Sequence, residues 1–190
     1  ALYHGRGLDM ITEITKTPEF AAATRIQYNK DKRMKGSYLV TRFLAFYLLL
    51  NNLLEKDSRD YEYSGDVDDL IEIVLTQLNQ ADDRKLEMLR RLTVKCLAMS
   101  AQILWKGAFR RELKESKPIN MNIFETTLYL MALLSDSRHT GDEEKIQEGL
   151  YNVIISSEFL DYIGNSRDYT AKVYGRFGLM DDLFEEVCHG

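Results

Sequence analysis

The sequence is poor in the residues that most often announce chemistry. Two prolines in 190 residues argue against a strand-and-turn architecture and for helices. Two cysteines, Cys96 and Cys188, give neither a disulfide framework nor a zinc spacing, a usage that fits a reducing cytosol. The three histidines, His4, His139 and His189, lie near the start, in a loop and at the end, never at ligand spacing. That disfavours a zinc hydrolase or an HNH-type nuclease, which cluster His and acid ligands. There is no glycine-rich phosphate loop and no GxSxG elbow. The longest apolar run, Phe43 to Leu50, has eight residues, against the roughly 18 needed to cross a bilayer. No signal peptide is visible, and the expected location is cytoplasmic. Nor is there an excess of positive charge. Lys and Arg number 25 against 30 Asp and Glu, for a net charge of −5, which does not describe a protein that coats nucleic acid. Any such contact would come from a local patch.

What is present is apolar content in helical register. Hydrophobic residues make up 45% of the chain and charged residues 29%, enough for a core under a solvated helical surface. No segment sustains period-two alternation, there is no internal repeat, and essentially no sheet is expected. The reading is an all-α, irregular bundle of about eight helices around a central apolar helix, Ser37 to Glu55. Projected at 100° per residue, Leu39, Val40, Phe43, Phe46, Tyr47, Leu50, Leu53 and Leu54 form one broad face. Leu44, Leu48 and Leu49 lie outside it, so this helix should be covered on more than one side. Ser37, after Gly36, is placed to cap its first turn.

Around it the pattern predicts a short amphipathic segment over Leu8 to Ile14. A second helix follows over Pro18 to Arg25, capped by Thr17 with proline at its first position. Others run from Asp66 to Leu78, from Asp82 or Asp83 to Trp105 with Gly107 as the stop, and from Asn120 or Asn122 to Leu134. After a loop, Ser135 to Gly141, come helices over Asp142 to Ile155 and Glu158 to Ile163. Gly164-Asn165-Ser166 breaks the chain, and Asp168 opens a last helical stretch toward Val187 that Gly175 and Gly178 would kink or interrupt. The whole, residues 1–190, reads as a single domain. With no Met before Ala1, it looks like a cut from something longer.

Few residues resist a packing explanation. Gln27 to Gly36 is polar and basic, with Lys30, Lys32, Arg33 and Lys35 within six residues; it reads as a solvated linker or as a phosphate-contacting loop. Arg42 projects into the apolar arc of the central helix, near Phe46, Leu49 and Leu53. It must find a buried partner, reach water along its stem, or bind an anion. Asp66, Asp68 and Asp69 complement a helix dipole better than they make a metal site, since the calcium-loop glycine and closing glutamate are missing. Glu112-Leu113-Lys114 has the Glu-x-Lys form of many restriction nucleases, but without the strand context that form needs. No active site is legible.

Ala1-Leu2-Tyr3-His4-Gly5, then Lys32-Arg33-Met34-Lys35 leading into Leu39-Val40-x-Arg42-Phe43-Leu44-Ala45-Phe46-Tyr47, resembles the GmrSD-like family of bacterial proteins. Ala108-Phe109-Arg110 and Ile119-Asn120-x-x-x-Phe124 are also similar to its pattern. The similarity spans much of Ala1 to Phe124. The family resembles type IV restriction and phage-defence systems acting on modified DNA. Its N-terminal part is ParB/sulfiredoxin-like and carries an Asp-Gly-Gln-Gln-Arg type motif. This chain lacks that motif, so no catalytic residue carries over. By resemblance it would be the helical region that follows the ParB-like domain. No cofactor is expected in the chain; a nucleotide and a divalent metal would belong to the upstream domain. The expected partners are that N-terminal domain, DNA, and a second copy of the chain. Lys32, Arg33, Lys35, Arg42 and Arg110 are the residues expected to contact nucleic acid or the other domain. The competing expectation is an interaction scaffold that touches no nucleic acid.

Overall fold

The computed structural model describes residues 4–55, 61–137, 142–164 and 168–190. His139, Ala1, Leu2 and Tyr3, residues 56–60, and Asn165 and Ser166 of the expected chain break lie outside the described residues. Among the described residues the chain forms nine α-helices and no strand: α1 Arg6–Thr15, α2 Pro18–Thr24, α3 Lys35–Leu50, α4 Val67–Gln80, α5 Asp83–Leu104, α6 Met121–Asp136, α7 Glu143–Ile155, α8 Ser157–Ile163 and α9 Thr170–His189. A lone antiparallel bridge joins Arg110 and Ile119. No helix among these residues is long and apolar enough to cross a membrane.

Capping side chains set most of the helix starts. Thr17, Asp66, Asp82, Asn120, Asp142 and Ser156 each accept from backbone N–H groups of the first turn that follows, supplying partners those groups lack within the helix. α3 differs from expectation. It begins at Lys35, with Ser37 buried inside its first turn. Its cap is Asp31, whose carboxylate accepts from the backbone N–H of Lys35 at 2.9 Å and of Gly36 at 2.6 Å. It ends at Leu50 rather than Glu55, where Asn52 turns the chain with φ 53°. α5 stops at Leu104, and Trp105, not Gly107, takes a positive φ of 51° after it.

The core is shared rather than centred on one helix. α3 is buried without interruption from Leu39 to Phe46, and α6 from Ile123 to Ala132. The two pack on each other, α6 also against α5 and α9, and α3 against α1 and α4. α9 runs uninterrupted through Gly175 and Gly178. Gly175 is there for contact: a Cβ would overlap the Tyr162 ring of α8. α8 therefore lies close against α9.

Phe124, fully buried on α6, packs its ring on Phe109 with centroids 4.6 Å apart. Phe124→Ala should cost about 3–5 kcal/mol in urea unfolding with little change in slope. Met88→Ala, on an exposed residue of α5, should stay within about 0.5 kcal/mol of the parent.

Candidate functional site

Arg42 lies on α3 with 2% exposure. Its Nε donates to Glu125 Oε2 at 2.8 Å, its Nη2 to Glu125 Oε1 at 3.2 Å, and its Nη1 to Asp168 Oδ2 at 3.2 Å. Arg176, on α9, donates from Nη2 to Glu125 Oε1 at 2.5 Å and to Asp168 Oδ1 at 2.8 Å. Two cations thus meet two carboxylates, and all four carboxylate oxygens accept a hydrogen bond. Phe46 lies between the guanidiniums, its centroid 5.5 Å from Arg42 and 5.4 Å from Arg176. Asp168 is held from behind, where the Tyr63 hydroxyl donates to its backbone carbonyl at 2.7 Å. Burial pushes the Asp168 carboxyl up, but attraction to Arg42 and Arg176 and their hydrogen bonds outweigh it and hold it below the usual aspartate range. Burial likewise weakens the Arg42 charge, and Glu125 followed by Asp168 more than restores it. Through these pairs the cluster fastens α3 and α6 to α9 and to Asp168 just before it. Of its members, sequence reasoning singled out only Arg42. The signal for Glu125 was an acid at the start of an otherwise apolar helix; for Arg176, a cation between Val173 and Phe177.

Arg110 is also inside, at 7% exposure. It donates to the carbonyls of Ala108 at 2.7 Å and Thr24 at 3.0 Å, and its Nε has no partner. Burial first, and the Arg25 charge second, lower its pKa. It fastens the segment after α5 to the end of α2.

Lys32, Arg33 and Lys35 are on the surface, with Lys30 beside them. None of the four side chains has a carboxylate partner among the described residues. The acid in their midst, Asp31, spends both oxygens on the α3 backbone. A shallow cavity of about 410 Å³ opens here, lined by Arg25, Ile26, Gln27, Lys30, Asp31 and Lys35. Tyr28 and Tyr38 are 49% and 43% exposed in the same stretch.

Residues 105–113 follow a contorted path. Trp105, Phe109, Glu112 and Leu113 account for four of the seven non-glycine residues with positive φ among those described. Trp105, at φ 51° and ψ −139°, lies outside ordinary geometry for a bulky residue; such a residue costs on the order of 1–3 kcal/mol. Gly107 permits the fold-back, since a Cβ there would overlap the Leu113 carbonyl. Glu115 pairs with Arg25 and lies 3.7 Å from Lys106 Nζ.

Elsewhere, a cleft of about 440 Å³ beside α4 is lined by Glu55, Asp69, Glu72, Ile73, Thr76, Gln77 and Gln80. Among the described residues no group of His, Cys, Asp and Glu is placed to hold a metal ion. Glu112 and Lys114 pair with each other. Cys96 is buried, which pushes its thiol up to about 12 and leaves it unreactive at neutral pH. Compared with known proteins, the chain matches no family model, no curated protein and no solved structure.

Glu125→Ala leaves two buried guanidiniums facing one carboxylate and should cost about 3–5 kcal/mol, read by urea unfolding. Arg42→Met, Glu125→Leu, Asp168→Asn and Arg176→Met together leave no charge of the cluster unpaired and should recover most of that loss. The Asp168 carboxyl is depressed in the folded state, so its contribution is complete above the unfolded aspartate value near 3.9 and lost as pH falls through the depressed value. Unfolding free energy should fall below about pH 4, and less steeply in Asp168→Asn.

Proposed function

We propose that the chain is the non-catalytic helical module of a DNA-targeting restriction or phage-defence protein. In this reading it helps to hold DNA through the exposed residues 30–35, for an upstream nucleotide-hydrolysing or nuclease domain. The observation that carries it is the state of that loop. Four exposed cations have no acid partner among the described residues, and the carboxylate in their midst, Asp31, is engaged by backbone N–H groups. Cations in that state gain by meeting phosphates, with release of condensed counterions. The resemblance to the GmrSD-like family supports the context, and the same loop is where that resemblance is most specific. Arg42 and Arg110 would serve by building the support for the loop, since their guanidiniums are turned inward.

A protein-interaction scaffold is the second reading. It is favoured by the net charge of −5 and by the acidic cleft at Glu55, Asp69 and Glu72.

Duplex DNA binding should weaken linearly in a log–log plot against salt. Lys32→Ala, Arg33→Ala and Lys35→Ala together should lower that slope by about 0.9 for each phosphate that the loop no longer neutralises. Equal binding by parent and triple variant would remove the loop from the interface. A dimer in light scattering with no DNA binding at low salt would favour the scaffold.

A further inference from the structure

The only tryptophan of the chain is 74% exposed, the most exposed of the large hydrophobic side chains among the described residues. Its position is built rather than frayed. Phe109, buried against Phe124, and Arg110, bonded to the Thr24 carbonyl, anchor the segment that follows it. Gly107, closed onto the Leu113 carbonyl, forces the tight return. The backbone at Trp105 adopts a conformation that bulky residues avoid, and the indole still faces water. An unfavourable backbone that presents an apolar ring to solvent has no stabilising purpose in the isolated chain.

The surroundings indicate what the ring meets. Lys106 follows it directly, and Glu115 contacts both Lys106 and Arg25. Both ammonium and guanidinium therefore lie around one carboxylate, and Arg25 is itself a wall of the basic cavity with Lys30 and Lys35. Lys106, next to the indole in sequence, and Arg25 share Glu115, Arg25 lines the cavity with Lys30 and Lys35, and Tyr28 in the same stretch is 49% exposed with Lys16 over its ring. A positive track beside exposed aromatic faces suits a strand whose bases are unpaired, because every base has a face to stack. A duplex offers its phosphates to such a track but keeps its bases stacked inside.

We propose that Trp105 is a base-stacking platform for single-stranded nucleic acid, whose phosphates run past Lys106 and Arg25 toward Lys30 and Lys35. This rests on the nucleic-acid reading given above. Glu115 occupies the path of the phosphates and limits affinity.

Because the tryptophan is unique, its emission reports the contact directly. The full chain is titrated with oligothymidylate, with oligouridylate and with a duplex of equal length, each about a dozen nucleotides. Stacking predicts a saturable quench by single strands and little quench by the duplex. Trp105→Gly suits the backbone at this position and should keep the fold, checked by circular dichroism. It should bind single strands about tenfold more weakly by anisotropy with duplex affinity unchanged, while Trp105→Phe keeps most of the affinity. Glu115→Gln should tighten single-strand binding. The ratio between the two oligonucleotides tells a DNA strand from an RNA strand. Nucleic-acid binding without a quench, or with equal single-strand affinity in Trp105→Gly, overturns the stacking role and leaves the module's DNA contact standing. Failure of all three ligands to bind overturns both.

Discussion

Three buried charges and a fourth that is largely buried hold α3, α6 and α9 together. Arg42, Glu125, Asp168 and Arg176 lie where desolvation costs several kcal/mol per ion, and only close, multiple hydrogen bonds offset that cost. Greasy helices can slide past one another by a turn at modest cost. A cluster in which each carboxylate oxygen has an assigned donor cannot. It sets the register of α3, α6 and α9 and places Asp168, two residues before α9, at a fixed point. The aromatic rings of Phe46 and Phe177 close over the guanidiniums and keep water away. The neighbouring Tyr63 hydroxyl then finds its acceptor in the Asp168 carbonyl rather than in solvent.

Inward pairing also determines what is left for the outside. Two arginines of the resemblance pattern, Arg42 and Arg110, have their donors turned inward. Asp31 gives its charge to the start of α3. The exposed cations of residues 30–35 are therefore left with solvent, although the chain as a whole is acidic. The support beneath them is rigid: α2 packs along α5, and Arg110 bonds across to Thr24. Such a surface keeps a local positive potential despite the net charge, because charge acts over about 8–10 Å and not over the molecule.

Much of the architecture was legible in the residues. Periodicity and side-chain caps located the helices to within a few positions, because a cap such as Thr17 or Asp142 acts within its own turn. Legibility failed where a group acts at a longer reach. Asp31 caps α3 from four residues upstream of Lys35, which a search for a cap beside the helix passes over. Gly175 reads as a kink, and only the Tyr162 ring pressing on it from α8 shows why glycine stands there. α6 was legible as a helix from Asn120 or Asn122 to Leu134, but not as a second core helix, because Glu125, Thr126 and Thr127 break its apolar pattern. Each of them is nonetheless buried.

The sequence alone settled that this chain is helical, that it has apolar surface enough for a core, and that Arg42 stands in an apolar arc needing an explanation. These are local properties, set by the 3.6-residue period and by which side chains avoid water. Tertiary structure decided the rest. It chose ion pairing with Glu125, 83 positions away, and with Asp168, 126 positions away, over an outward-facing anion site. It also brought Lys106 and Arg25 to one carboxylate, Glu115. Partners at such separations leave no trace in local patterning, because the chain brings them together only when the apolar faces of its helices close.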